Sequence, residues 1–100
     1  ESYDFWHDRA AFHFLTKAEE ISSYIKNLNK NLNISGKLVI GTFSEIGPQK
    51  CSGIKVTRYS EKKMTETFQN YFKKIECLII EHKTPFNTIQ NFIFCSFKKL

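Results

Sequence analysis

Residues 3–16 read as a buried strand that turns directly into a helical segment. A short apolar run ends in a polar triplet, and an aromatic-rich stretch follows without a linker. In open α/β sheets, ligands bind at the carboxyl ends of the strands, where such polar triplets occur. The pattern therefore predicts that the chain starts at the active-site edge of a sheet whose earlier strands it does not contain.

The next residues predict a strand–helix–strand unit. Thr16 and Glu19 have the spacing of a capping box, and residues 33–36 are expected to end the helix that it starts. Residues 38–40 form a short apolar run, typical of a strand covered on both faces. Such a unit is right-handed and parallel by default. The apolar stripe of the helix consists of Ile21, Tyr24, Ile25, Leu28 and Leu32.

Residues 44–59 carry turn signals but no helical periodicity, which predicts a long loop of the kind that forms a lid. Ser60 is expected to cap a second helix. Residues 75–83 and 88–98 read as strands joined by a short turn, so they are expected to form an antiparallel hairpin. The predicted order, within one unit over residues 1–100, is strand, helix, strand, lid, helix, strand, strand.

Composition narrows the class of protein. Fifteen of the 100 residues are aromatic, which argues against disorder. No apolar run is long enough for a membrane span and no signal peptide is recognisable, so no membrane partner is expected. Three cysteines without paired spacing predict no disulfide framework and favour a reducing, cytoplasmic location. No Cys/His cluster predicts a metal.

The charge of the chain is uneven. Its net charge is +5, and residues 37–100 hold eleven basic and five acidic side chains. This excess could attract an anionic partner, or it could be a solvated face. It motivates one reading of function, a non-catalytic basic module that binds nucleic acid or another acidic partner.

Eight segments form a recognisable series, at residues 6–10, 12–15, 36–43, 47–48, 51–53, 58–59, 81–85 and 92–99. In this order they resemble the class I S-adenosylmethionine-dependent methyltransferases. The resemblance implies an α/β fold, the C-terminal half of a Rossmann-like sheet. Its parallel strands would end in an antiparallel hairpin, with the last strand inserted between its two predecessors and helices on the faces. The donor-binding N-terminal half, with its Gly-rich turn, would be absent.

The resemblance implies S-adenosylmethionine as the methyl donor, with Trp6, His7 and Asp8 near its methionine part. An aromatic ring such as that of Trp6 suits a sulfonium charge, whereas the alternative is that Trp6 is a core residue on a buried strand. Asp8 could bind the donor's ammonium group or cap the following turn. Arg9 could bind a carboxylate of the acceptor, pair with Asp8 or point to solvent.

Candidate residues for the acceptor side lie after the first strand and in the lid. His13 could act as a base near neutral pH, or it could be a packing residue. Tyr59 is the second catalytic candidate, and Arg58 would bind an acidic or planar acceptor, unless both pin the lid to the next helix. Cys51 could approach the acceptor or be a small packing residue.

These inferences predict part of a methyltransferase that contributes donor contacts and an acceptor-side lid. The methyl acceptor is not identified by the sequence. The isolated chain is expected to be incomplete and inactive. Its expected partners are the missing N-terminal half, or a second copy paired through the strand edge at residues 3–7.

Overall fold

The computed structural model describes residues 3–100 as a four-stranded sheet with two helices and a small two-stranded hairpin. The order of elements agrees with the order predicted from the sequence. The elements are β1 (Tyr3–Arg9), a 3-10 turn (Phe12–Phe14), α1 (Ala18–Asn31), β2 (Leu32–Phe43), β3 (Lys50–Cys51), β4 (Ile54–Lys55), α2 (Glu61–Phe68), β5 (Phe72–Lys83) and β6 (Ile89–Lys99).

The sheet has the strand order β1-β2-β6-β5. β1 and β2 are parallel, whereas β6 is antiparallel to both of its neighbours, β2 and β5. The last strand of the chain is therefore inserted between its two predecessors, as the resemblance implied. The predicted fold class, a partial Rossmann-like α/β sheet that ends in an antiparallel hairpin, is confirmed.

Both helices pack on the same face of the sheet. Ile25 and Leu28 of α1 and Met64 and Phe68 of α2 are buried against inward side chains of β2 and β6. The opposite face is covered at one end only, where a smaller cluster contains Phe43, Val56 and Phe92. Within residues 3–100, α1 and α2 therefore cover one face of the sheet. The inward side chains of the two central strands are Leu38, Ile40, Ile93, Cys95 and Phe97.

The ends of α1 differ from the prediction. The N-cap of the helix is Lys17, one residue after the predicted Thr16. The backbone N–H of Lys17 donates to Glu20 Oε1 at 3.3 Å. Residues 33–36 do not separate the helix from the strand. They belong to β2, where a register shift against β1 and a positive φ of 64° at Ser35 absorb the extra residues. Ser60 does cap α2, accepting from the N–H of Lys63 at 3.1 Å.

The prediction of no disulfide framework is wrong for two of the three cysteines. Cys77 and Cys95 form a disulfide between β5 and β6, and only Cys51 is free. The two residues are direct cross-strand partners with Cα atoms 4.1 Å apart, so pairing brings them together whatever their spacing in the sequence. The cysteines of this chain therefore no longer indicate a reducing compartment.

Two further findings concern the described residues 3–100 alone. No helix there has the length and apolar character needed to cross a membrane. No group of three or more acidic, histidine or cysteine side chains could hold a metal ion.

Candidate functional site

The segment between β1 and α1 crosses the carboxyl end of the sheet. β1 runs through Arg9, and Ala10 then leaves the sheet with a positive φ of 60° while its N–H still donates to the Gly41 carbonyl at 2.8 Å. A single 3-10 turn over Phe12–Phe14 follows instead of the predicted helical segment. Ligands of open α/β sheets bind at this edge, which makes it the candidate functional site.

The Asp8 carboxylate holds this turn in place. Asp8 is buried, and its Oδ1 accepts the backbone N–H groups of Ala11 and Phe12, each at 3.1 Å. Its Oδ2 accepts the Tyr24 hydroxyl at 2.5 Å, and that hydroxyl in turn accepts Trp6 Nε1–H at 3.1 Å. Capping of the turn, one of the two roles left open for Asp8, is therefore present. Binding of the donor's ammonium group stays a prediction.

Tyr24 is a member of this network that the sequence analysis counted only as part of an apolar stripe. Burial raises the pKa of its hydroxyl, and the hydrogen bond to Asp8 and the charge of Asp8 raise it further. Tyr24 is therefore a neutral donor at physiological pH. The residue type could have indicated that Tyr24 joins a polar network, because a buried tyrosine hydroxyl usually needs a polar partner.

His7 and Arg9 lie on the other face of the sheet from Trp6 and Asp8, because successive side chains of a strand alternate. The guanidinium carbon of Arg9 is 5.6 Å from the centroid of the Phe92 ring. Within residues 3–100 it makes no ion pair with Asp8. The predicted donor-binding triplet is thus divided between the two faces, with only its first and third members joined by Tyr24.

His13, in the 3-10 turn, is fully buried. Its Nδ1 accepts the backbone N–H of Phe43 at 3.1 Å, so the proton of the neutral ring is on Nε2. Nε2 has no hydrogen-bond partner among the described residues. Burial lowers the pKa of the ring, and the nearby Asp8 charge partly opposes this shift. His13 is therefore neutral at pH 7, and in this tautomer a base would have to act through Nδ1, which Phe43 occupies.

Residues 44–59, which were expected to form a lid, contain the β3–β4 hairpin, and their role as a lid stays a prediction. Tyr59 is 1% exposed, and its N–H donates to the Phe43 carbonyl at 3.0 Å. Within residues 3–100 its hydroxyl has no hydrogen-bond partner, and burial raises its pKa to about 12. Arg58 Nη1 donates to the Gly47 carbonyl at 3.1 Å, so this side chain connects two parts of the loop of residues 44–59. Cys51 is half-buried against the cluster around Phe43. Roles of these residues toward an acceptor stay predictions.

A cleft of about 440 Å³ lies between the loop of residues 44–59 and the segment that leads into α1. Lys55, Arg58 and Lys63 line it together with one carboxylate, that of Glu45, and with Thr16. Its excess of positive charge suits an anionic group. The sequence analysis named Arg58 but missed both lysines. They sit in β4 and in the first turn of α2, and no local pattern relates these positions.

A second buried polar pair was also missed. The Ser44 hydroxyl donates to the side-chain oxygen of Asn91, and the Ser44 N–H donates to the Asn91 carbonyl at 2.9 Å. This pair joins the end of β2 to the start of β6, next to the loop of residues 44–59. Buried polar side chains that satisfy each other in this way stabilise one arrangement of a loop.

Comparisons with solved structures find methyltransferases. The N-methyltransferase NodS from Bradyrhizobium japonicum, in complex with S-adenosylhomocysteine, matches with a TM-score of 0.72 at 17% identity, over 99% of this chain and 47% of its own. A SAM-dependent methyltransferase from Methanosarcina mazei matches with a TM-score of 0.80 at 15% identity, over 99% of this chain and 60% of its own.

TehB from Haemophilus influenzae matches with a TM-score of 0.70 at 24% identity, over 100% of this chain and 36% of its own. No protein-family model matches the sequence, and no curated protein matches it. The chain therefore spans less than two thirds of each of these solved chains, and the likeness is one of fold. The chain has the fold of part of an S-adenosylmethionine-dependent methyltransferase domain.

Proposed function

We propose that this chain is part of an S-adenosylmethionine-dependent methyltransferase. It would contribute contacts to the methionine end of the donor and the lid on the acceptor side. The observation that carries the proposal is the insertion of β6 between β2 and β5. The chain that contains this sheet matches solved methyltransferases over 99% of its residues. NodS was crystallised with S-adenosylhomocysteine, the donor without its methyl group.

The donor side would be the edge where β1 ends. Asp8 fixes the backbone of the turn there, since its Oδ1 accepts two backbone N–H groups, and its Oδ2 accepts the Tyr24 hydroxyl. An ammonium group of the donor would approach Oδ2, which within residues 3–100 accepts one hydrogen bond, from Tyr24, and so keeps a lone pair for another donor. The ring of Trp6 is held close by through the same hydroxyl. These residues would contact only the methionine end of the donor. The chain has no Gly-rich turn that could bind the remaining part of the donor.

The acceptor side would be the cleft under the lid. Lys55, Arg58 and Lys63 favour an acceptor with an acidic group. The chemical contribution of the chain would be mainly positional, because methyl transfer requires the nucleophile to be aligned with the methyl carbon. A base at His13 would need the neutral ring that burial favours, and access to Nδ1 through movement of Phe43.

The test is isothermal titration with S-adenosylmethionine. We expect the 100-residue chain alone to show no micromolar binding, because the family's adenosine and ribose contacts are expected from the half that the chain lacks. The chain joined to a donor-binding half should bind the donor. Micromolar binding by the chain alone would contradict the first expectation, and absence of binding by the joined protein would contradict the proposal.

Two variants of the joined protein test the donor contacts. Asp8→Ala should weaken donor binding more than His13→Ala does, since loss of a charge-assisted hydrogen bond costs about 1.5–3 kcal/mol. Folding of each variant is checked by circular dichroism before titration. Equal donor affinities for the two variants would remove Asp8 from the donor site.

A further inference from the structure

The outer strand of the sheet, β5, has one long edge without a partner strand. The order β1-β2-β6-β5 ends at this strand, and within residues 3–100 no strand pairs with its outer side. An edge strand presents a row of unpaired N–H and C=O groups to any extended chain that approaches it. This edge is on the far side of the sheet from β1, so a strand that pairs with β1 does not reach it.

The two halves of the β5 edge differ in how well they are protected. Residues 73–76 contain two lysines and a β-bulge, which are features that keep edge strands from pairing. Residues 78–82, here called the free edge, contain no lysine and no bulge, and every one of them is exposed. Leu78 is 53% exposed, Ile79 59% and Ile80 46%. An exposed apolar edge of this kind is a site where another strand can add.

The pairing of β5 with β6 shows which backbone groups of the free edge point outward. The Cα atoms of Cys77 and Cys95 are 4.1 Å apart, which is close to the about 4.5 Å of a non-hydrogen-bonded antiparallel pair. The N–H and C=O groups of Cys77 therefore point away from β6. Because the pattern alternates, those of Ile79 and Glu81 point the same way. The side chains of these two residues lie on the helical face, in phase with Cys77, which packs against the core.

A pocket of about 290 Å³ lies beside the free edge on the helical face. Ile46 and Ile79 give it apolar walls, Glu45 and Glu61 add two carboxylates, and no basic side chain is among the described residues that line it. Glu61 forms an ion pair with Lys74, whereas Glu45, which lines both this pocket and the basic cleft, has no ion-pair partner within residues 3–100. A lysine or arginine side chain has an apolar stem and a cationic end, so it matches this pocket.

We propose that the free edge binds an extended, basic segment of a partner protein by strand addition, with a lysine or arginine side chain of that segment in the adjacent pocket. The main chain of the segment would bond to Ile79 and Glu81, and the pocket would select the side chain. The exposed carboxylate of Glu81 adds a third negative charge on the same face. A second copy of this chain fits less well, because it would bring the same three carboxylates to the edge. The inference does not depend on methyl transfer.

The test uses the intact chain and two synthetic peptides as probes. Each peptide has about six residues, the length of a typical strand, and alternates valine with threonine. One carries lysine at its centre and the other glutamate. We expect the lysine peptide to bind at least about tenfold more tightly by fluorescence anisotropy, since complementary charge favours the matching partner. Hydrogen exchange at the Ile79 and Glu81 amides should slow on binding, whereas the Leu78 and Ile80 amides point to β6 and should not change.

Matched changes separate the backbone bonds from the pocket. Ile79→Pro removes an outward N–H that β6 does not use, so the chain should fold while binding falls about tenfold or more. A lysine peptide with N-methylated backbone tests the same bonds from the partner's side and should not bind. Glu45→Gln should weaken binding of the lysine peptide about threefold. Glu76→Gln makes the same change at an exposed position on the other face of β5 and should leave binding unchanged.

Three outcomes would overturn the proposal. The first is equal affinity for the lysine and glutamate peptides, or binding of neither. The second is slowed hydrogen exchange on the helices and not at Ile79 and Glu81. The third is a dimer in light scattering that Ile79→Pro dissociates, which would make a second copy the occupant. No methyl donor enters any of these measurements, so their result is separate from a failure of donor binding.

Discussion

The Nδ1 atom of His13 accepts the backbone N–H of Phe43 at 3.1 Å and thereby joins the turn after β1 to the end of β2. Protonation of the ring would place a hydrogen on Nδ1 and break this bond. The protonation state of one buried side chain therefore decides whether the two strand ends that border the candidate site stay connected.

Stability should consequently fall as the pH drops below the ordinary histidine value of 6.5. The pKa of His13 is lowered in the folded chain, so the unfolded chain takes up the proton more readily. The contribution of His13 is complete above pH 6.5 and is lost as the pH falls through the folded pKa. We expect the urea midpoint of unfolding to decrease between pH 7 and pH 5.

Two asparagine variants make this prediction specific. In His13→Asn the amide oxygen can still accept from Phe43 but does not titrate, so the pH dependence below 6.5 should become shallower. His7 is exposed, and His7→Asn should keep the dependence of the parent chain. Parallel pH profiles for His13→Asn and the parent would show that another group is responsible.

The buried hydroxyl of Tyr59 should cost stability. It has no partner among the described residues, and an unsatisfied buried polar group costs about 1–3 kcal/mol. Tyr59→Phe should therefore raise the free energy of unfolding by about 1 kcal/mol in urea denaturation. Tyr24→Phe is the matched control, and it should lower stability because that hydroxyl donates to Asp8. A loss of stability in Tyr59→Phe would reveal a partner for its hydroxyl.

Alkaline titration offers a second measurement on Tyr59. Its pKa is raised to about 12, so the unfolded chain loses this proton first and the contribution of Tyr59 to stability is lost as the pH rises above 10. The tyrosinate absorbance of the folded parent should show a late step near pH 12 that is missing in Tyr59→Phe. If Tyr59→Phe instead lost absorbance near pH 10 and kept the late step, Tyr59 would be in contact with solvent.

Asp8 and Tyr24 should be energetically coupled. Asp8→Ala leaves the N–H groups of Ala11 and Phe12 and the Tyr24 hydroxyl without their acceptor, so we expect a loss of about 2–3 kcal/mol. A double-mutant cycle with Tyr24→Phe should give a coupling energy above about 0.5 kcal/mol. Additive effects of the two substitutions would mean that the bond between the side chains contributes nothing.

The disulfide should stabilise the chain when it is oxidised. A bridge that closes a loop of this size, with a sequence separation of 18, contributes about 3 kcal/mol. Cys77→Ser should lose this amount without reductant and match the parent in its presence, whereas Cys51→Ser should keep the bridge. Alkylation of the unfolded, unreduced parent should label one cysteine by mass. Three labels would show that the bridge does not form.

Gly41→Ala should destabilise the sheet through the ring above it. The new Cβ would lie 2.3 Å from a carbon of the Phe94 ring, so ring or strand has to move, at a cost of about 1–3 kcal/mol. In a Phe94→Ala background the same substitution should be nearly neutral, because the ring is gone. Equal costs in both backgrounds would place the strain in the backbone.

Much of the architecture was predictable from local patterns. The order of elements, the cap of α2 at Ser60 and the antiparallel pairing of β5 with β6 follow from periodicity, capping chemistry and a short connection, all of which act between near neighbours in the chain. The central position of β6 does not follow from such rules. It was expected only from the resemblance.

The candidate site was predictable in its location but not in its connections. Asp8 was singled out because it follows an apolar run, and it does lie at the carboxyl end of β1. Its partner Tyr24 is 16 residues away on a helix, and the contact of His13 with Phe43 spans 30 residues. Such bonds depend on how α1 and the turn after β1 pack against the sheet. The spacing of residues along the chain does not determine this packing.

The sequence alone determined the order of the two helices and the four long strands, because hydrophobic period and capping residues act locally. Tertiary structure decided which side chains meet. It divided Trp6, His7 and Asp8 between two faces through the alternation of β1, and it joined Cys77 to Cys95 through strand register. It also put both helices on one face, which leaves the opposite face of the sheet open, since the side taken by a helix depends on the surface that remains for it to bury.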